Sequence, residues 1–167
     1  MRHKTVTTLG ESHKTLILGI GNILLRDEGA GIHALNQLRS LLAQRDDVTL
    51  LDGGTLSFTL AGAIADAERL IVIDAAQLDA APGASQVFEG EHMDAFIGGN
   101  RKMSVHEVSL IDLLAIARLT DHLPQQRALI GIQPGEIDWG EAPSPAVAAT
   151  LPQVCRQALL LIEAWHA

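Results

Sequence analysis

The chain of 167 residues is 47% hydrophobic but only 3% aromatic, so Leu, Ile, Val and Ala must build the core of a single domain. Its net charge of −8 and pI of about 5.2 argue against a nucleic-acid-binding surface, which needs clustered Lys and Arg. The single cysteine, Cys155, excludes an internal disulfide and a cysteine-rich metal site.

Residues 1–14 carry basic side chains but no apolar core, so they lack the pattern of a signal peptide. We expect a polar N-terminal tail over residues 1–14 and a single α/β domain over residues 15–167. No apolar run reaches membrane-spanning length. These features predict a cytoplasmic protein with no membrane partner, and we expect a monomer.

The first half of the chain alternates short apolar runs with amphipathic stretches. Apolar residues at helical spacing follow the first run, and Asp27 is a candidate for the cap of that helix. The predicted elements are a strand at 15–20, a helix through Ile32, Leu35, Leu38 and Leu42, a strand at 48–51 that Asp52 and Gly53 stop, a helix at about 57–67 and a strand at 70–73.

The second half begins less regularly and ends in a long helix. Ser104-Val105-His106-Glu107 matches a capping box, and Ser144-Pro145 is typical of a helix start. The predicted elements are a turn at 81–83, an edge strand at 86–89, a helix through Leu110, Leu113, Leu114 and Ala117, a strand at 128–132, and a final helix with Val147, Leu151, Val154, Cys155, Ala158, Ile162 and Trp165 on one face, widened by residues 159–161. Cys155 therefore belongs to the core and is not predicted to be a nucleophile.

Strands that alternate with helices predict a single-domain three-layer sandwich, in which a twisted, mostly parallel sheet of about five strands carries helices on both faces. In such folds, functional sites lie beyond the carboxyl ends of the strands. Glu28, Asp52 and Asp74 all follow such ends, so we consider them together.

Two carboxylates and an imidazole form a candidate set of metal ligands: Glu28, Asp74 and His106. Asp74 ends an almost purely apolar strand, where an ionised carboxylate needs backbone N–H groups, a cation or a metal. Glu28 alone would also suit the positive end of a helix. An imidazole at a helix start stays neutral and can donate a lone pair, and His92 competes with His106 for this role.

Other chemistries fit less well. Gly19 and Gly21 resemble the start of a dinucleotide fingerprint, but Leu24 replaces the third glycine. The sequence contains neither a phosphate-binding Gly-Lys-Ser/Thr loop nor a Gly-x-Ser-x-Gly elbow.

Five ordered segments resemble the motifs of the hydrogenase maturation endopeptidases, and the resemblance runs from about Thr15 to the C-terminus. The first is the most specific, and the ordered set is more specific still. They are Gly-Ile-Gly-Asn-Ile-Leu-Leu-Arg-Asp-Glu-Gly-Ala-Gly at 19–31, Asp-Gly-Gly-Thr at 52–55, Ile-Val-Ile-Asp-Ala at 71–75, Ser-Val-His-Glu-Val-Ser-Leu at 104–110, and a closing segment from Gly131-Ile-Gln-Pro through Trp139-Gly to Ser144-Pro.

The resemblance implies an enzyme that removes the C-terminal extension of the nickel–iron hydrogenase large-subunit precursor after nickel insertion. The metal-contacting and catalytic positions of the family map onto Glu28, Asp74 and His106, with no separate cofactor-binding residues. The nickel is expected to arrive on the cysteine thiolates of the substrate, so that the enzyme recognises only the loaded precursor. Nickel could orient the peptide or polarise its carbonyl, or a carboxylate could activate water; the sequence leaves these open.

Two further segments are candidates for contact with the substrate. Asp52, Gly53, Gly54 and Thr55 would allow close approach of a peptide, or they form only a tight strand-to-helix turn. Trp139 would anchor a partner, or it covers the core.

Two rival functions stay open at the level of sequence. One is a metal-independent acid dyad of Asp52 and Asp74 that shares a proton. The other is a non-enzymatic α/β protein that binds nickel or, through Gly19 and Gly21, a nucleotide.

Overall fold

The computed structural model describes residues 14–54, 56–99 and 109–166. Within these residues the chain forms five strands, five α-helices and one 3-10 turn. They are β1 (Thr15–Ile20), the 3-10 turn (Arg26–Gly29), α1 (Ala30–Leu41), β2 (Val48–Gly54), α2 (Leu60–Asp66), β3 (Arg69–Ala75), β4 (Ser85–Glu89), α3 (Glu91–Gly99), α4 (Leu110–Leu119), β5 (Gln126–Ile132) and α5 (Pro145–His166).

The strands form one mixed sheet in the order β2-β1-β3-β5-β4. Four strands are parallel, and only the edge strand β4 is antiparallel to its neighbour. The four parallel strands therefore share a carboxyl end and an amino end of the sheet. The interior strand β1 is buried at every position, as expected where both faces are covered.

Two apolar cores flank the sheet and make the fold a three-layer sandwich. Helices α1 and α5 bury one face over side chains such as Ile17, Ile71 and Ile130. The other face packs under α2, α3 and α4 over Leu18 and Val72. The architecture predicted from the alternating pattern is confirmed.

Several boundaries differ from the sequence prediction. Strand β2 runs on through Asp52 to Gly54, because Gly19 and Ile20 of β1 continue to pair with it across an irregular register. Helix α2 is shorter than predicted, and residues 93–99, whose sequence pattern is ambiguous, belong to α3. The capping box proposed at 104–107 lies outside the described residues; the cap of α4 is Ser109, which pairs with Asp112.

Helix α5 qualifies the prediction that no apolar run reaches membrane-spanning length. Its 22 residues include an 18-residue window of mean hydropathy 1.2, so by length and composition alone it could cross a membrane. One face is buried against α1 and the sheet, which accounts for this content as that of a core helix. The predicted apolar stripe was too broad, however, because Leu160 is 63% exposed.

Candidate active site

A glycine-rich turn after β1 places Glu28 against the carboxyl end of the sheet. Gly21 has a φ of +139°, and a Cβ at this position would overlap the carbonyl of Glu28. A Cβ at Gly31 would overlap the carbonyl oxygens of Ile20 and Ile73. The first turn of α1 therefore packs directly on β1 and β3. The chain's own backbone fills the space beside these glycines, which argues against a nucleotide phosphate there.

Asp27 connects this turn to the loop after β5. Its fully buried carboxylate accepts hydrogen bonds from the N–H groups of Gly135, Glu136 and Ser144, at 2.8, 2.8 and 2.6 Å. The Ser144 hydroxyl adds a fourth bond at 2.8 Å. Burial by itself would raise the pKa of Asp27, but these hydrogen bonds outweigh it and lower the pKa.

The prediction that Asp27 caps α1 is wrong. The cap position of α1 is Gly29, and no side chain bonds there. Asp27 instead holds together two segments more than 100 residues apart, immediately before Glu28. The sequence did not predict this role, because most of the partners of Asp27 are backbone N–H groups, and these do not depend on the residue type. The only available signal was the position of Asp27 inside the first motif.

Arg26 shows that the turn is held under constraint. Its φ of +47° lies in the left-handed region, which non-glycine residues adopt only where their surroundings compensate. Here its N–H donates to the carbonyl of Gly140 at 2.9 Å, and its guanidinium donates to Glu136 at 2.8 Å. These bonds link the turn to the loop after β5 and thereby fix the position of the backbone at Glu28.

Glu28 and Asp74 lie within electrostatic reach of each other. Asp74 is the sixth residue of β3, where it pairs with Gly131 of β5, and both carboxylates are partly buried. Burial raises the pKa of Asp74 well above its usual range, the N–H of Ala75 opposes this, and the negative charge of Glu28 raises it further. Among the described residues, neither carboxylate has a Lys, Arg or His partner.

Asp52 stands apart from this pair. It is exposed at the end of β2, where it accepts the N–H of Gly54 at 2.8 Å. Strand β1 separates it from Asp74, so two strand spacings, roughly 10 Å, lie between them. That separation argues against a proton-sharing dyad of Asp52 and Asp74. Thr55, the last residue of the second motif, lies outside the described residues.

The structure describes one of the two candidate histidines, His92. His106 lies outside the described residues. His92 is exposed in the first turn of α3, which begins at the amino end of the sheet because β4 runs antiparallel to β5. The length of β3 puts roughly 17 Å between that end and Asp74. His92 is therefore not positioned to join the two carboxylates.

Glu28 and Asp74, which have no cationic partner among the described residues, are suited to a small set of chemical roles. Two partly buried carboxylates at this end of the sheet can bind a divalent cation or accept a proton from water. No cluster of three His, Cys, Asp or Glu that could hold a metal occurs within residues 14–54, 56–99 and 109–166. A complete site would need a third donor from the substrate or from elsewhere in the chain.

Cys155 contributes to the core, as predicted. It is 2% exposed, its sulfur lies 3.7 Å from the carbonyl oxygen of Ala34, and burial raises its pKa. A buried thiol with a raised pKa is a poor nucleophile.

Comparison with known proteins identifies relatives over nearly all of the described chain. A family model described as hydrogenase maturation protease matches residues 32–160. The hydrogenase expression/formation protein HupD of Rhizobium leguminosarum bv. viciae is 35% identical over 153 residues, which cover 91% of this chain and 75% of that protein. The hydrogenase 2 maturation protease of Escherichia coli (strain K12) is 33% identical over 147 residues, covering 87% and 88%. Among solved structures, the hydrogenase maturating endopeptidase HybD from E. coli superposes with a TM-score of 0.80 at 32% identity, covering 90% and 92%.

Proposed function

Because the chain belongs to the hydrogenase maturation protease family, we propose that it removes the C-terminal extension of a nickel–iron hydrogenase large-subunit precursor once nickel has been inserted. As a member of that family it is an endopeptidase, a hydrolase of peptide bonds. The proposal adds the substrate, the point of cleavage and the requirement for nickel.

One observation supports the requirement for nickel more than any other. Glu28 and Asp74 both lie at the carboxyl end of the sheet, and the pKa of Asp74 is raised by burial and by the charge of Glu28. Leaving two acids together without a cationic partner is unfavourable, so the arrangement favours a divalent cation. Oxygen donors with an imidazole suit a borderline ion such as nickel.

We propose that the nickel belongs to the substrate. Held by cysteine thiolates of the precursor, it would meet Glu28 and Asp74 only when the precursor docks. We propose His106 as the third contributor, three residues before the α4 cap Ser109. In support, Arg118 in the last turn of α4 forms an ion pair with Asp94 at the amino end of the sheet. Because α4 has 10 residues, its first residue lies about 15 Å from that ion pair, and His106 precedes this first turn.

Within this proposal the residues of the chain orient the substrate and handle a proton. Hydrolysis requires a base that takes a proton from the attacking water, and the unpaired carboxylates are the groups placed for it. A bound nickel ion would supply Lewis acidity and fix the position of the scissile peptide. Asp27 would act through the backbone by holding the turn that carries Glu28.

We further propose that the second motif contacts the extension to be removed. Strand β2 is at the end of the sheet order, so its outer backbone groups have no partner strand among the described residues. An extended peptide can add to such a strand through main-chain hydrogen bonds. Asp52, Gly53 and Gly54 end this strand at the same end of the sheet as the carboxylate pair, separated from β3 by one strand, and Thr55 follows. We also expect a cytoplasmic monomer, which size-exclusion chromatography and fractionation will check.

The test is a cleavage assay with purified protein and precursor. Nickel-loaded precursor should lose its extension, seen as a mass shift, and nickel-free precursor should remain intact. Equal rates on both precursors would overturn the nickel requirement. Nickel binding with no cleavage of either precursor would favour the non-enzymatic alternative.

Matched variants test the three site residues. Glu28→Gln and His106→Ala should each reduce cleavage at least about 100-fold. The controls are Asp66→Asn, an exposed carboxylate on α2, and His92→Ala, an exposed histidine on α3; both should cleave at the wild-type rate. Full activity in a folded His106→Ala variant would remove that residue from the site.

A further inference from the structure

Two loops at the carboxyl end of the sheet are joined into one surface, called here the paired loops (residues 22–26 and 136–140). Leu25 and Gly140 form a parallel bridge. The N–H of Gly140 donates to the carbonyl of Leu24 at 2.9 Å, and the N–H of Arg26 donates back to the carbonyl of Gly140 at 2.9 Å. These bonds, together with those of Asp27, keep the loops side by side.

The paired loops expose apolar side chains that the core does not use. Trp139 is 78% exposed and Ile137 is 52% exposed, and Leu24 and Ile23 are each more than 40% exposed. Trp139 therefore does not cover the core, which was one of the two roles considered for it. In a chain with only five Phe and Trp residues, an exposed Trp among exposed aliphatic side chains is typical of a contact surface.

The surroundings of this patch are acidic. Apart from the fully buried Asp27, residues 22–28 and 135–141 contain four carboxylates, Glu28, Glu136, Asp138 and Glu141, against one guanidinium, Arg26. Arg26 is already paired with Glu136 and lies 3.6 Å from Asp138. A basic partner that covers the apolar side chains would compensate this negative charge, whereas an acidic partner would be repelled.

The patch is continuous with the candidate active site. Arg26 is two residues before Glu28, and Asp27 between them bonds the N–H of Glu136, the residue before Ile137. A protein seated on the paired loops would have its adjoining chain beside Glu28 and Asp74.

We propose that the paired loops are the docking surface for the hydrogenase large-subunit precursor, which would present an apolar segment flanked by Lys or Arg next to its cleavage site. This inference rests on the proposed function, to which it adds the place and chemistry of recognition. Trp139 is the central anchor, and the carboxylates select for a basic partner.

The test separates docking from chemistry. Trp139→Ser should raise the KM for nickel-loaded precursor about tenfold and leave kcat unchanged, because binding is lost while the carboxylate pair is intact. Glu141→Lys should raise KM about threefold, and raising NaCl from about 50 to about 500 mM should raise the wild-type KM. The control is Leu119→Ser, an equally exposed apolar position at the end of α4, for which KM should be unchanged.

Direct binding of the precursor to immobilised enzyme completes the experiment. An unchanged KM for Trp139→Ser, a loss confined to kcat, or an equal rise for Leu119→Ser would overturn the docking surface while cleavage by the wild type stands. If the wild type binds the precursor without cleaving it and Trp139→Ser abolishes binding, the surface stands and the proposed function fails. If the wild type neither binds nor cleaves, both fail.

Discussion

The two ends of the sheet treat their carboxylates in opposite ways. At the amino end, Asp94 accepts from Arg127 at 3.0 Å and from Arg118 at 3.0 Å, and hydrogen bonding to Arg127 is the main reason that its pKa is lowered. Asp47 lies between Arg45 and His166, and its hydrogen bond to Arg45 is the largest cause that lowers its pKa to about 2.

At the carboxyl end, Asp27 and Asp74 have no such partner among the described residues. Asp27 is satisfied only by N–H groups and a hydroxyl, and Asp74 has Glu28 as its charged neighbour, which helps to raise its pKa. Folding alone does not explain a pair of acids kept near each other, whereas the proposed cation would. The contrast indicates that Asp94 and Asp47, which pair with arginine, stabilise the fold, whereas Asp74 and Glu28, which have no cationic partner among the described residues, are available for chemistry.

The variant expected to have the largest effect on this contrast is Asp74→Asn. Cleavage of nickel-loaded precursor should fall at least about 1000-fold, because the substitution removes a donor for the cation while preserving shape. The free energy of unfolding at pH 7 should rise by on the order of 1 kcal/mol, since the variant no longer ionises a buried acid next to Glu28. Urea unfolding and the cleavage assay measure the two effects on the same preparation.

The pH dependence of that gain has a definite sign. A raised folded-state pKa means that the stabilising protonated form of Asp74 is fully present below the unfolded value of 3.8 and is lost as pH rises through the folded pKa. Asn stays neutral throughout, so its advantage should be largest at pH 7 and shrink toward about pH 4. A variant that is less stable than the wild type at pH 7 would show that Asp74 has a stabilising partner.

Sequence reasoning reached most of the fold, because it depends on patterns that lie within each element. The apolar run of β3 and the one-sided stripe of α5 predicted both elements. The continuation of β2 to Gly54 escaped prediction, because pairing with β1 extends it past residues that usually end a strand. The packing of Gly31 against Ile73 was equally invisible, since it depends on contact between distant segments.

The candidate site was only partly accessible from sequence. Topology placed Glu28 and Asp74 at one end of the sheet, and in the structure the charge of Glu28 helps to raise the pKa of Asp74. The sequence could not show that Asp52 lies apart from them, because the strand order β2-β1-β3 is a property of the assembled sheet. Asp27 had no signal beyond its motif, because backbone N–H groups from residues 135–144 complete its environment.

A second, smaller effect tests how the carboxyl end is held in place. Asp27→Asn should lower the free energy of unfolding by about 3 kcal/mol, because an amide nitrogen would face N–H groups that now point at a carboxylate oxygen. It should also lower kcat for the precursor, since the turn that carries Glu28 loses its link to the loop after β5. Thermal unfolding and the KM-against-kcat split are the measurements.

Ser144→Ala is the control for Asp27→Asn. It removes the hydroxyl bond to Asp27 and the long bond of 3.5 Å that the same oxygen accepts from the N–H of Val147, but it leaves the N–H bonds to Asp27, so it should cost only about 1 kcal/mol. Equal losses in the two variants would assign the effect to the start of α5 and would count against Asp27 as the anchor of the turn.

The smallest effect belongs to the amino end and completes the comparison. Asp94→Asn should lower the free energy of unfolding by about 2 kcal/mol, because Arg127, with 10% of its side chain exposed, loses its charged partner. Arg118 is 63% exposed, so the control Arg118→Gln should cost little. Catalysis per folded molecule should be unchanged in both.

The pH profile of Asp94→Asn should be opposite in sign to that of Asp74→Asn. The folded-state pKa of Asp94 is lowered, so its stabilisation is present above 3.8 and is lost as pH falls through the folded value. Both variants should therefore approach the wild type in acid, one from greater stability and the other from lower. One carboxylate at each end of the sheet would then show, by the sign of its pH dependence, that Asp94 is stabilised by its partners and that Asp74 is kept at a cost to stability.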